Sequence, residues 1–187
     1  MPESQAPLDI TGMGLADVAK AIAERRLPPV EQWNPPHCGH SGMRIARDGT
    51  WYHDGEPIRR AAMVRLFSTV LRREPDGSHV LVTPVEKLAI DVDLAPFVAT
   101  AMSVEGSGRD RRVAFELNSG DAVIIGPAHP LRMGADEHGP VPLVAVRAGL
   151  EASLARLVDY ELAELALQEG SEPPGIWSDG AFFPLTA

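Results

Sequence analysis

Hydrophobic residues recur with helical spacing in three parts of the chain. At the spacing i, i+3, i+4, i+7 they form one apolar stripe along a helix, with polar residues on the other side. The three stretches are residues 14–26, 59–73 and 151–169, with apolar positions at Leu15, Val18, Ala19 and Ile22, at Met63, Leu66, Phe67, Val70 and Leu71, and at Leu154, Leu157, Val158, Leu162 and Leu165. The pattern predicts three amphipathic helices.

Between the second and third of these stretches the pattern becomes extended. We predict seven short strands, most of them separated by turn-forming glycine, proline and serine, at 79–87, 89–93, 97–105, 111–118, 122–126, 130–133 and 141–148. Consecutive short strands without intervening helices favour an antiparallel roll over a parallel βαβ sheet. Pro84 falls within the first segment and predicts a sheet edge or a bulge there.

Two Asp-Gly pairs predict tight hairpins. Asp48-Gly49 joins residues 43–46 to 50–53, and Asp179-Gly180 lies within a second hairpin at 176–183. Each pair is followed by one small residue and two aromatic residues, which suggests an internal repeat.

These elements together predict an α+β fold with two small roll-like lobes. We expect an N-terminal arm and short helix at 1–27 and a hairpin-plus-helix lobe at 28–77. A seven-strand antiparallel roll, closed by the third helix, follows at 78–170. The C-terminal hairpin at 171–187 is expected to return to the interface between the lobes.

Composition excludes several classes of function. The chain has 187 residues and a net charge of −9, so binding to duplex nucleic acid or to anionic membranes is not expected. Cys38 is the single cysteine, which excludes an intrachain disulfide and a cysteine-rich zinc site. The longest uncharged stretch is about half of the ~20 residues that a spanning helix needs, and no leader pattern opens the sequence. We therefore expect a cytoplasmic protein.

One charge pattern suggests a ligand. Residues 44–73 carry seven arginines against three acids, and Arg59 and Arg60 open the second helix, where the helix dipole is already positive. Either neighbouring acids or the acidic third helix neutralise them, or an anionic ligand does. The predicted ligand-binding residues are Trp51, Tyr52, His53, Arg59, Arg60, Glu86 and Lys87.

Other chemistry has less support. His37, Cys38 and His40 could contribute to a zinc site, but three adjacent donors converge poorly, and a turn with a partly buried thiol is the simpler interpretation. A hydrolase would need Glu86, Asp91 or Asp93 gathered with a histidine in one pocket. No cofactor-binding motif occurs in the sequence, so no cofactor, catalytic residue or metal ligand is assigned.

The strings Asp48-Gly49-Thr50-Trp51-Tyr52-His53-Asp54-Gly55-Glu56-Pro57-Ile58-Arg59-Arg60, 64–73 and 81–87 resemble an uncharacterised proteobacterial family classed as a domain of unknown function. The resemblance extends from about Pro28 to Leu185. It implies two similar α/β-roll motifs, the second pleckstrin-homology-like, and a ligand site in the cleft between them with a role in signal transduction. It implies no catalytic residues.

We therefore expect a non-enzymatic ligand-binding or signalling module that takes an anionic, nucleotide-like small molecule between its lobes. The alternatives are a protein–protein adaptor, which would show an exposed apolar patch or a free sheet edge, and a hydrolase.

Overall fold

The computed structural model describes residues 27–186, and this part of the chain is predominantly β. The elements are β1 (His37–Ile45), β2 (Trp51–His53), β3 (Glu56–Pro57), α1 (Ala61–Thr69), β4 (Leu71–Arg73), β5 (His79–Val82), β6 (Glu86–Val92), β7 (Phe97–Glu105), β8 (Arg112–Leu117), β9 (Ala122–Ile124), β10 (Leu131–Asp136), β11 (Gly139–Arg147), β12 (Leu150–Leu154), α2 (Arg156–Glu169), β13 (Gly175–Ser178) and β14 (Ala181–Pro184). The helix predicted at 14–26 lies outside the described residues.

Two six-stranded sheets have the same strand order. The first is β3-β2-β1-β6-β5-β4, and the second, taken from its other edge, is β9-β8-β7-β12-β11-β10. In each sheet three strands run outward from the centre and the next three return from the opposite edge. The first and last strands of each sheet therefore become parallel neighbours, β1 with β6 and β7 with β12. This arrangement confirms two repeated β-rich lobes. The two Asp-Gly hairpins are not the repeated unit, because the second hairpin, β13–β14, forms a separate two-stranded sheet.

The division of strands between the lobes differs from the prediction. β5 and β6, expected to open the second roll, are hydrogen-bonded in the first sheet. Pro84 lies in the turn that joins them, closed by a 2.9 Å bond from the Thr83 amide to the Glu86 carbonyl, rather than in a strand. The second sheet has six strands with a central parallel pair, in place of seven antiparallel strands.

Both helices are shorter than their apolar stripes predict. α1 ends at Thr69, and residues 71–73 form β4, because Leu71 is buried opposite Leu81 of β5. α2 begins at Arg156, because residues 150–154 form β12 between β11 and β7. Neither helix of the described part is long and apolar enough to cross a membrane.

One hydrophobic core runs through both lobes. Ile45, Trp51 and Leu71 of the first sheet belong to the same buried cluster as Phe97 and Phe115 of the second. α1 covers the first sheet and α2 the second. Because the core is continuous, the junction between the lobes is packed, and any cleft there is narrow.

The C-terminal hairpin forms as predicted but in a different place. The buried Ser178 hydroxyl accepts a bond from the Val113 amide at 2.9 Å and donates one to the Ile125 carbonyl at 2.6 Å. The Asp179 amide donates to the Arg111 carbonyl at 2.8 Å. These bonds attach the hairpin to the second sheet, whereas the sequence predicted a return to the interface between the lobes.

Candidate functional site

The aromatic residues predicted to bind a ligand lie on opposite faces of the first sheet. Trp51 is 2% exposed and stacks on Phe67 of α1, with ring centroids 6.3 Å apart, so its faces are occupied by the core. Tyr52 is half-buried on the other face, 5.4 Å from the Arg44 guanidinium. Arg44 in turn forms a two-pronged ion pair with Asp93, at 3.0 and 2.8 Å, and its hydrogen bonds lower the pKa of that carboxyl.

Arg59 and Arg60 are exposed immediately before α1. Among residues 27–186 neither side chain has an ion pair or hydrogen-bond partner. Water solvates both guanidinium groups, which removes the electrostatic reason for assigning them an anion. Their position at the start of a nine-residue helix therefore carries no site by itself.

Glu86 and Lys87 lie at the far end of β1 from the aromatic hairpin. Glu86 is in register with His37, whereas His53 is in register with Met43. Arg44, the neighbour of Met43, is in register with Asp91, five residues of β6 beyond Glu86, so these positions are roughly 15 Å apart at ~3.3 Å per residue. The structure therefore does not bring the predicted ligand residues together.

Lys87 belongs instead to a network of ion pairs. Its Nζ is 3.3 Å from Glu74, whose other oxygen accepts a 2.6 Å bond from Arg72. Burial would raise the pKa of Glu74, but the hydrogen bonds from Arg72 and Lys87 outweigh it and hold the pKa below its usual value. Arg72 also donates to the carbonyls of Val30 and Trp33, which ties the segment before β1 to β4.

The candidate metal ligands and carboxylates are dispersed on the surface. His37, Cys38 and His40 are all exposed on β1, and His40 is 3.5 Å from Asp91. Within 27–186 no three histidine, cysteine, aspartate or glutamate side chains are grouped so that they could hold a metal ion. Asp93 is paired with Arg44, and none of Glu86, Asp91 and Asp93 lines either of the two cavities described between residues 27 and 186, so neither cavity holds the arrangement that a hydrolase would need.

A cavity of about 190 Å³ lies in the second lobe, beside the point where Arg147 contacts α1 of the first lobe, and we call it the interlobe cavity. β9 and the end of β11 form its walls. Its described lining is Leu27, Asp121, Ala122, Val123, His129, Val146 and Arg147. Arg147, from the second sheet, donates a 2.6 Å hydrogen bond to the carbonyl of Ser68 at the end of α1. The cavity is therefore bordered by a side chain that contacts both lobes.

The positive charge of Arg147 is only partly compensated by neighbouring groups. Its side chain is 20% exposed, and its Nη1 is 3.8 Å from an Asp121 oxygen, beyond hydrogen-bond distance. The guanidinium lies 5.0 Å from the Phe97 ring centroid. Burial lowers the pKa of Arg147, and the charges of Asp121 and Glu31 offset this only in part. Because Asp121 and Glu31 offset the burial of this cation only in part, the position favours an added negative charge.

Two further side chains give the cavity directional polarity. His129 Nδ1 is 3.0 Å from the Ala145 carbonyl, which can only accept, so Nδ1 carries the proton and neutral His129 has an acceptor at Nε2. Ser119 donates a 2.8 Å hydrogen bond to Asp121 and orients its carboxylate. The cavity thus combines a cation, a carboxylate and an imidazole with an apolar wall of Ala122, Val123 and Val146.

Sequence reasoning missed this cavity because its residues come from distant elements. One signal was present: Arg147 ends an apolar strand, Val141-Pro142-Leu143-Val144-Ala145-Val146, where a charged residue needs a partner.

Known proteins and family models match nearly the whole described part of the chain. A crystal structure of a DUF1285 family protein from Silicibacter pomeroyi DSS-3 is 48% identical, with a TM-score of 0.81, over 93% of this chain and 95% of that chain. A DUF1285 family protein from Shewanella baltica OS155 is 22% identical, with a TM-score of 0.49, over 65% of this chain and 90% of that chain. Among curated proteins, none shows significant similarity. Residues 28–95 match the N-terminal domain of the DUF1285 family of unknown function, and residues 96–185 match its C-terminal domain. With both domains matched in order, the chain belongs to the DUF1285 family.

Proposed function

We propose that the protein is a non-enzymatic binding module for a small anionic molecule, which it takes in the interlobe cavity with its negative group on Arg147. The observation that carries this proposal is the guanidinium of Arg147, which is 20% exposed and, among residues 27–186, donates one hydrogen bond of 2.6 Å to the neutral Ser68 carbonyl while Asp121 remains 3.8 Å away. A carboxylate or phosphate would supply the two-pronged partner that an arginine favours.

The volume of the cavity limits the size of the ligand that it can hold. A cavity of ~150 Å³ holds a molecule the size of benzene, whereas pockets for drug-sized ligands measure ~300–1,000 Å³. At about 190 Å³, the interlobe cavity matches a short aliphatic or a single-ring acid, and a nucleotide would leave its base outside. The apolar wall favours a ligand with a hydrocarbon part behind its anionic group.

The position of Arg147 also supports a signalling role. Its hydrogen bond to Ser68 joins the second lobe to α1 of the first, and a bound anion would compete for the same guanidinium. Occupancy of the cavity would thereby change how tightly the two lobes are joined. A second link, from Arg73 to the Gly149 carbonyl at 3.0 Å, lies outside the cavity and would persist.

Thermal denaturation with defined probes tests the proposal. The probes are inorganic phosphate, benzoate and the straight-chain carboxylates from acetate to octanoate. We expect carboxylates of intermediate length to raise the melting temperature most, since ligand at 100 times its Kd adds about 2.7 kcal/mol to stability. Arg147→Gln should abolish this increase.

The matched control is Arg59→Gln/Arg60→Gln, which removes two exposed arginines and should leave the shift unchanged. Loss of the shift in this double variant, with Arg147→Gln still responsive, would favour a site at the start of α1. If none of the probes raises the melting temperature of the unmodified protein, the proposal is refuted.

A further inference from the structure

A second cavity, of about 90 Å³, is lined by residues of both lobes. Arg47, in the β1–β2 turn, and Leu94, between β6 and β7, line it from the first lobe. Ser153, in β12, and Asp159, in the first turn of α2, line it from the second. None of its described lining residues borders the interlobe cavity, so the two cavities are separate. We call the second one the Ser153 cavity.

Ser153 is buried, and its hydroxyl group has no hydrogen-bond partner within residues 27–186. The residue is 4% exposed, and because its neighbour Ala152 faces the hydrophobic core, its side chain points to the other face of the second sheet. The hydroxyl groups of the other buried serines, Ser68, Ser119 and Ser178, all form hydrogen bonds. Buried polar groups in proteins are almost always paired. The Ser153 hydroxyl is therefore a donor and an acceptor that a bound molecule can use.

The charged side chains that line the Ser153 cavity have opposite signs. Arg47 forms an ion pair with Asp136 through Nη1, but Asp136 is not part of the described lining, so the guanidinium is the end of this pair that borders the cavity. A guanidinium has several N–H donors, which leaves some of them for a second partner. Asp159 is exposed, and in the described part of the chain no basic side chain pairs with it. The cavity thus offers a positive group from one lobe and a negative group from the other.

We propose that the Ser153 cavity binds a small zwitterion, an α-amino acid with a short side chain. Its carboxylate would accept hydrogen bonds from the guanidinium of Arg47 and from the Ser153 hydroxyl. Its ammonium group would donate to the carboxylate of Asp159. Leu94 and Pro142, which also line the cavity, would contact the hydrocarbon part.

Charge and volume select this class of ligand. A simple anion would be attracted by Arg47 but repelled by Asp159, whereas a simple cation would be attracted by Asp159 but repelled by Arg47. A zwitterion places a charge of the favourable sign beside each group. Because a cavity of ~150 Å³ holds a molecule the size of benzene, a volume of about 90 Å³ suits glycine or alanine rather than an amino acid with a ring.

Isothermal titration calorimetry of the full chain with three matched probes tests the proposal. Glycine carries both charges, whereas acetate lacks the ammonium group and methylammonium lacks the carboxylate. The variants are Ser153→Ala, which removes the unpaired hydroxyl, and Asp159→Asn, which removes the negative charge. The matched control is Glu164→Gln, which removes an exposed carboxylate from the same helix at a position outside the described cavity lining. Circular dichroism establishes that each variant is folded.

We expect glycine to bind the unmodified protein and the Glu164→Gln control with the same Kd, and to bind Ser153→Ala and Asp159→Asn at least tenfold more weakly. Methylammonium should bind at least tenfold more weakly than glycine. Acetate that enters the interlobe cavity is recognised because Ser153→Ala leaves its binding unchanged.

Two kinds of result would overturn the proposal. The first is absence of glycine binding to the unmodified protein, or the same Kd for glycine in both variants and the control. The second is binding of acetate or methylammonium that equals that of glycine and is lost in Ser153→Ala, because it would identify a site for a simple ion. Neither result bears on the anion proposed for the interlobe cavity, whose test depends on Arg147.

Discussion

Replacing Gly49 by alanine tests how closely the two lobes are packed. Gly49 lies in the turn between β1 and β2, at φ +86°, with its backbone against the second lobe. A Cβ at this position would come within 2.7 Å of Asn118 Nδ2 and 2.8 Å of Val98 Cγ2. Val98 is buried in the second sheet and cannot move freely. The substitution therefore combines backbone strain with a steric clash.

A second glycine separates these two costs. Gly55 has nearly the same φ, +84°, but a Cβ there would meet no atom within 4 Å. Left-handed backbone costs a residue with a Cβ about 1–2 kcal/mol, and the loss of unfolded-state freedom is the same for both substitutions. Overpacking adds about 1–3 kcal/mol only at Gly49. We expect Gly49→Ala to lower the free energy of unfolding by about 2–5 kcal/mol and Gly55→Ala by about 1–2 kcal/mol.

Urea denaturation at equilibrium measures both variants against the unmodified protein. The difference between the two alanine variants isolates the packing of the β1–β2 turn on Val98 and Asn118. Equal midpoints for the two variants, at unchanged m-values, would show that the turn yields without cost and that the lobes are loosely joined. The continuous core would then not transmit strain from one lobe to the other.

Three other substitutions have defined outcomes. Ser178→Ala leaves the buried Val113 amide without its acceptor and should lower the free energy of unfolding by about 1–3 kcal/mol. The control Ser107→Ala, at an exposed serine, should change it by no more than about 0.5 kcal/mol. Equal effects of the two substitutions in urea denaturation would contradict the role of the Ser178 hydroxyl. Glu74→Gln weakens the contacts to Arg72 and Lys87 and should lower the free energy of unfolding by about 1–3 kcal/mol in the same measurement. An unchanged free energy of unfolding would show that this network does not stabilise the fold. Burial, together with the charge of Arg73, lowers the pKa of His79 in the folded protein. The unfolded chain, with a histidine pKa near ~6.5, therefore binds the proton first, so stability should fall as the pH drops from about 7.5 to 5.5, and His79→Gln should reduce that fall; an unchanged pH dependence in the variant would refute this assignment.

The sequence predicts well those elements whose limits are set locally. β7 has the predicted bounds, 97–105, because its residues are suited to a strand and a glycine-rich turn follows it. The C-terminal hairpin likewise forms around Asp179-Gly180, where the turn residues themselves fix the geometry. In both cases the determining interactions lie within a few residues.

Elements defined by a distant partner are predicted poorly. Leu71 continues the helical stripe of α1, and only its pairing with Leu81 makes it part of a strand. The residues of β12 continue the apolar spacing of the following helix, but they form a strand because β7 and β11 lie on either side of them. The membership of β5 and β6 in the first sheet depends on the parallel pairing of β1 with β6, which no local pattern encodes.

The candidate site follows the same rule. Arg59 and Arg60 are conspicuous in sequence because they oppose a helix dipole, a local feature, yet exposure to water satisfies them. Arg147 is inconspicuous because a single arginine at the end of a strand is ordinary. Its significance arises from Ser68 and Phe97, which are brought to it from the first lobe and from β7. Burial, which creates the need for a counter-ion, is a property of the assembled lobes.

The parallel strand pair at the centre of each sheet constrains how the chain reaches its native state. His37 pairs with Glu86, a separation of 86 − 37 = 49 residues, and Phe97 pairs with Ala152, a separation of 152 − 97 = 55 residues. Contacts between such distant positions raise the contact order and slow folding, because loop-closure entropy must be overcome before the pair forms. During synthesis on the ribosome, the first sheet can close once residue 92 has emerged, before most of the second sheet exists. The two halves would then fold in succession, the first providing the surface on which the second is completed.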